Sequence, residues 1–198
     1  MNLSDRYLAL KSALIDSGDI RSEQFSTLLN YIENETQYLD APASTKYHCS
    51  YKHGLLEHSV NVTEVLIRLN KSLGANLPIS SCIFVGLCHD CGKSEQYIMK
   101  DPTPKQIQYG YPGSIMYVDE ESWMEHSTRS LKIVSKFVDC TDDEWAAIAY
   151  HNEPHNGTLS EWRETKLGLL LQYADYYATR FMEVTGEEKS KSASQNEE

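Results

Sequence analysis

Positive charge is in short supply in this 198-residue chain: 18 Lys and Arg stand against 29 Asp and Glu, a formal net charge of −11. Coating duplex nucleic acid requires a surplus of cations to neutralise phosphates, so the charge argues against that class of function. A small nucleotide or a short single strand held at a metal site is not excluded, because the ion itself brings positive charge. Also missing is any apolar run approaching the ~20 residues that a membrane helix requires. Residues 1–18 are amphipathic and carry acids, unlike a secretory signal or a transit peptide, so a cytoplasmic protein is expected. Cysteine is sparse: five residues, at 49, 82, 88, 91 and 140, odd in number and irregular in spacing. A disulfide framework is not expected from such a set, and reduced thiols packing as small apolar groups are. No internal repeat and no second domain is visible, and the length suits one domain with a substantial core.

What is present is mostly helix. Apolar spacing near 3.6 residues predicts helices over 4–17 and 22–37, through Tyr7, Leu10, Leu14 and then Phe25, Leu28, Leu29, Ile32. After a loop punctuated by Pro42 and Gly54, a long helix is expected from Leu55 to Leu73, closed by Gly74. A mostly apolar helix follows over 78–91, stopped by Gly92. Residues 94–122 carry Pro, Gly and many Tyr, which reads as irregular chain or a small hairpin. Helix resumes over 122–138, and Thr141 to Glu144 reads as a capping box opening the next helix, to His151. A loop over 152–160 leads to a last helix over 162–183, and the polar, acidic tail after it is expected to be disordered.

The most informative feature is where polar residues fall on these helices. A buried stripe repeats at i, i+3, i+4, i+7 and normally excludes polar side chains. His58 falls in the stripe Leu55, Val62, Leu66, Leu69, Leu73; His126 lies with Trp123, Ser130, Ile133 and Phe137; His151 follows Trp145 and Ile148. Asp175 lies beside Leu167, Leu171, Ala174, Ala178 and Met182, and His89-Asp90 ends the most apolar helix. A single inward His is ordinarily a hydrogen-bonded core residue. Four His and two Asp from five helical segments are not independent accidents, since buried carboxylates are costly unless paired or metal-bound. The set offers nitrogen and oxygen without thiolate, which suits Mn, Fe, Zn, Co or Ni better than Mg or Ca. Six ligands exceed what one open catalytic ion takes, so two divalent ions are expected, with Asp90 bridging them.

The ordered pattern H…HD…H…H…D, met by His58, His89-Asp90, His126, His151 and Asp175, resembles the HD-domain superfamily of metal-dependent phosphohydrolases. The flanks "APASTKYHCSYKHGLLEHSVNV", "EHSTRSLKIVSKF" and "DDEWAAIAYHN" are similar to bacterial and phage HD proteins related to 3′–5′ exoribonucleases. Glu125 and Tyr150, each preceding a ligand, depart from the Gly and Trp usual in those relatives. The resemblance covers about 28–183, leaving 1–27 as an N-terminal helical segment and 184–198 as the acidic tail. It implies an all-α fold and hydrolysis of a phosphoester or phosphoanhydride bond in a nucleotide, cyclic nucleotide or short oligonucleotide. A di-iron oxygenase on the same scaffold and a non-catalytic nucleotide sensor are the alternatives.

Supporting roles follow the same reading. Lys93, one turn beyond Asp90, is a candidate phosphate contact, against a solvated Lys at a helix C-terminus. Arg129 is a second phosphate candidate, against a surface Arg. His48 is a candidate proton donor or substrate contact, whereas His53 and His155 are expected to be peripheral. Tyr97, Tyr109 or Tyr111 of the insert are candidates to stack a base, against tyrosines packing locally. Cys88 and Cys91 spell C-x-x-C but have no partner pair for zinc and end a helix, where the dipole raises a thiol pKa, so they are expected to pack.

Overall fold

The computed structural model describes residues 1–45, 47–100, 115–118, 124–152 and 165–183. In chain order its elements are α1 (Leu3–Ile15), α2 (Ser22–Glu35), α3 (Gly54–Ser72), α4 (Ile79–Cys88), a 3-10 turn (Cys91–Glu95), strands β1 (Tyr97–Lys100) and β2 (Ile115–Val118), α5 (His126–Val134), α6 (Asp142–Tyr150), and α7 (Lys166–Tyr177) continuing into a π turn (Ala178–Met182). This is the all-α bundle that the helical periodicity implies. The Tyr-rich insert contributes an antiparallel hairpin, with Tyr97 opposite Val118 and Lys100 opposite Ile115. Tyr109 and Tyr111, the loop with His155, and the acidic tail after Glu183 lie outside the described residues. Among the described residues no helix is long and apolar enough to cross a membrane.

The core forms around α3 and α4. In α4, Ser80 through Cys88 are all buried, as a helix apolar on every side must be. It packs against α3, which also meets α1 and α7. A cluster including Phe25, Leu28 and Ile32 of α2, Leu55 and Leu66 of α3, and Phe84 and Leu87 of α4 closes the interior. Gly86 sets the spacing of the two central helices. A Cβ there would lie 2.5 Å from Thr63 Oγ1 and 2.8 Å from Thr63 Cα, so only glycine lets α4 approach α3 this closely. That approach brings His58 and His89 to one point.

Several boundaries differ from the sequence expectation. The apolar helix ends at Cys88, with His89 as its C-cap, and Asp90 opens the 3-10 turn. Gly92 is therefore not a helix stop but sits inside that turn. A Cβ on it would lie 2.4 Å from the His126 carbonyl oxygen and 2.6 Å from the Ser130 nitrogen, so its small size lets α5 rest on the turn. The helix expected over 122–138 is described from His126 to Val134, after an extended Glu125, which places His126 at its first turn. Trp145 and Met182, expected in buried stripes, are 46% and 42% exposed. On α6 the inward position goes instead to Glu144, fully buried, because it meets Arg21.

That contact locks α6 in place. Arg21 donates to both Glu144 oxygens, at 2.6 and 3.0 Å, and to Asp19 at 3.1 and 3.0 Å. Ser81 of α4 donates to Glu144 Oε1 at 2.7 Å. Glu144 also accepts from the Thr141 nitrogen, completing the capping box expected from the sequence. One carboxylate thus caps α6 and ties it to α2 and α4, fixing the position of His151 at the helix end.

Candidate metal centre

The six side chains singled out by pattern cluster around the carboxylate of one of them, Asp90, whose residue exposure is 1%. His58 Nε2 lies 3.4 Å and His89 Nε2 3.6 Å from its Oδ2. His126 Nε2 and His151 Nε2 each lie 3.4 Å from its Oδ1. Asp175 Oδ1 is 3.3 Å from His58 Nε2, and the Nε2 atoms of His58 and His89 are 3.3 Å apart. Each oxygen of one carboxylate therefore faces two imidazoles.

The imidazoles are oriented from behind. His89 Nδ1 donates to the Gly86 carbonyl at 2.9 Å and His151 Nδ1 to the Ile148 carbonyl at 2.8 Å. His58 Nδ1 donates to Glu183, at 3.0 Å to Oε2 and 3.2 Å to Oε1. Carbonyl oxygens only accept, so in neutral rings Nδ1 carries the hydrogen and Nε2 turns a lone pair inward. Asn152 Nδ2 contacts His126 Nε2 from the cavity side. The two carbonyls and Glu183, which hold Nδ1, are outer partners of the kind that fix histidine ligands in one tautomer at metal sites.

This arrangement fits a divalent cation. Among the described residues Asp90 Oδ1 and His151 Nε2 are buried with no hydrogen-bond partner, although they face each other at 3.4 Å. Two acceptors so placed repel unless a positive centre lies between them. Groups able to share an ion include His58 with His89 and Asp175, and His89 with Asp90 and His151. Three carboxylates, of Asp90, Asp175 and Glu183, all have pKa values held below the usual range despite opposing burial. The opposing attractions come first from Lys93 at Asp90 and from His58 at the other two. Burial drives His89 down to about 3 and His126 to about 4, keeping both neutral. Burial also opposes charge on His58, but hydrogen bonds to Asp90 and Glu183 outweigh it and push that ring up to about 10. A proton on His58 balances part of the carboxylate charge; a cation among the Nε2 atoms would balance it and also satisfy Asp90 Oδ1 and His151 Nε2.

Lys93 is not the solvated lysine of the alternative reading. It is 8% exposed, and its Nζ lies 2.5 Å from Asp90 Oδ2. His48 sits beside the cluster, its ring 4.9 Å from that of His58 and its Nε2 buried without a hydrogen-bond partner among the described residues. Arg129 instead faces Glu95 at 3.4 Å. His53 lies away from the cluster, donating from Nδ1 to the Leu39 carbonyl. Cys88 and Cys91 are free and buried. Burial raises the Cys88 thiol well above its ordinary pKa and pushes Cys91 up to about 12, as packing thiols behave.

Glu183 escaped the sequence reading. It is 7% exposed and also accepts from Asn61 Nδ2 at 3.0 Å. A signal existed in α3: Asn61 stands three residues after His58, so a second polar group shares the inward face and requires a partner.

A family model described as HD domain matches residues 55–180. The match contains all six convergent ligand candidates, while His48 and Glu183 fall just outside it. No curated protein and no solved structure shows a significant match to the chain.

Proposed function

The chain belongs to the HD domain family, whose members are in general metal-dependent phosphohydrolases, and on that footing we propose that it hydrolyses a phosphoester or phosphoanhydride bond of a nucleotide, cyclic nucleotide or short oligonucleotide. The observation that carries this reading is the ring of four Nε2 atoms around Asp90. His58, His89 and Asp175 would hold one divalent transition-metal ion and His126 and His151 a second, with Asp90 shared between them. Such ions supply a water of lowered pKa and neutralise charge on phosphoryl oxygens. The similarity of the flanks to HD proteins related to 3′–5′ exoribonucleases supports keeping a short oligonucleotide among the substrates.

The chain's own groups bind and orient. Lys93 lines the cavity over the centre. Its flexible four-carbon stem lets the ammonium move from Asp90 Oδ2 to a phosphoryl oxygen. His48 lines the same cavity, and its buried Nε2 has no hydrogen-bond partner among the described residues. Burial lowers His48 to about 4, so it serves near neutral pH as a neutral hydrogen-bonding group. Thr179 Oγ1 donates to Asp175 Oδ1 at 3.2 Å, fixing the carboxylate at the cavity wall.

The test is a hydrolysis screen of nucleoside mono-, di- and triphosphates, cyclic nucleotides and short RNA with added Mn²⁺. Metal-dependent release of phosphate or nucleotide is expected. Oxygen uptake by an iron-loaded protein, with no phosphoester cleaved, would favour the oxygenase reading instead.

A further inference from the structure

A cavity of about 580 Å³ opens over the centre, within the range of small-molecule sites. One wall is a single helical face. Gln172, Asp175, Tyr176 and Thr179 fall at i, i+3, i+4 and i+7 along α7 and its π turn, flanked by Tyr173 and Arg180. From Gln172 to Arg180 this face runs about 12 Å along the axis, longer than a lone phosphate requires. Asp175 presents its carboxylate to the metal-site cluster partway along it. Tyr173 and Tyr176 line the cavity and are 53% and 64% exposed. The Arg180 guanidinium lies 5.9 Å from the centre of the Tyr176 ring. Among the described lining residues Lys93, paired with Asp90, and Arg180 carry full positive charge.

The geometry points to a subsite for an aromatic base on Tyr173 and Tyr176, making this a site for nucleotides rather than for base-free sugar phosphates. The assignment rests on the phosphohydrolase reading for the position of the phosphate, near Lys93. It adds α7 to the insert tyrosines as a place for base stacking. Stacking on an aromatic platform tolerates any base, so the preference is for an aromatic ring over none. Arg180, held against Tyr176, meets a second phosphate or the next nucleotide at the mouth.

The test is equilibrium binding to the full-length, Mn²⁺-loaded protein of 5′-methylenephosphonate analogues, which are not hydrolysed. Those of adenosine and uridine are expected to bind at least about ten-fold tighter than that of ribose. In a Tyr173→Ala/Tyr176→Ala double variant the affinity ratio should fall toward one. A Tyr173→Phe/Tyr176→Phe variant, which keeps both rings, should retain it. Equal affinity for base-bearing and base-free analogues, or a ratio unchanged in the alanine variant, overturns the subsite. Because no turnover is needed, a base preference alongside no phosphoester cleavage would sustain the subsite and sink the hydrolase reading. Equal cleavage of nucleotides and sugar phosphates would do the reverse.

Discussion

Glu183 accepts the Nδ1 hydrogen of His58, at 3.0 and 3.2 Å, from a position eight residues beyond Asp175 in the chain. The contact fixes the ring so that Nε2 faces Asp90 and Asp175 at once. Asn61 donates to the same carboxylate, and Arg6 of α1 donates in turn to Asn61 Oδ1 at 2.7 Å. A line of hydrogen bonds thus runs from the N-terminal helix to an imidazole of the candidate metal centre. Glu183→Ala should weaken Mn²⁺ binding roughly ten- to hundred-fold, the usual effect of losing an outer-shell partner. Glu183→Gln, which still offers an acceptor, should recover part of that loss. Titration calorimetry with Mn²⁺ checks both.

Gly92 is where α5 rests on the 3-10 turn. Gly92→Ala forces a methyl group against backbone atoms of His126 and Ser130, which cannot rotate away as a side chain can. A loss of about 1–3 kcal/mol is expected, measured by urea unfolding of the metal-free protein. The same displacement moves His126, so Mn²⁺ affinity should fall as well.

Acid should unfold the protein partly through the Arg21 clamp. Hydrogen bonds to Arg21 lead in holding Asp19 far below the usual carboxylate range, and with Ser81 they lower Glu144 against the burial that opposes it. Both groups titrate lower when folded than when unfolded. Their stabilisation is therefore fully present above the unfolded pKa of about 4 and is lost as pH falls through the folded values. Glu144→Ala, which leaves Arg21 only Asp19 as a carboxylate partner and removes the acceptor of Ser81, should cost about 2–3 kcal/mol at pH 7. The cost should shrink toward pH 2, because protonation disrupts the same contact in the parent. Urea midpoints at the two pH values check the sign.

Cys88 and Cys91 should behave as core atoms. Native protein at pH 8 should leave both thiols unalkylated by iodoacetamide, while urea-unfolded protein is fully labelled. Cys88→Ala and Cys91→Ala should each keep the bound metal. Loss of metal in either variant, measured by elemental analysis, would restore the C-x-x-C motif to the site.

Much of the centre was legible because helical periodicity exposes a misplaced polar residue. His58 among leucines and His89-Asp90 closing an apolar helix both violate the stripe, and the structure brings them together. Glu183 was not legible, since it follows a π turn that breaks the 3.6-residue phase relating it to Asp175. Trp145 was misplaced for a related reason. Apolar character put it inside, but the partner that decides the face of α6 is Arg21, more than a hundred residues away in sequence. Gly92 reads as a helix stop in one dimension and as a close approach in three. The capping box at Thr141 and Glu144 was readable because all its partners lie within four residues.

The most direct test of the account is the number of metal equivalents bound per chain by the wild type and by Asp90→Ala after reconstitution with Mn²⁺, read by elemental analysis beside a circular dichroism spectrum showing the helices intact. The account predicts two equivalents in the wild type and a loss of both metal and phosphoester turnover in the variant. An Asp90→Ala protein that retains its metal and full activity would contradict it.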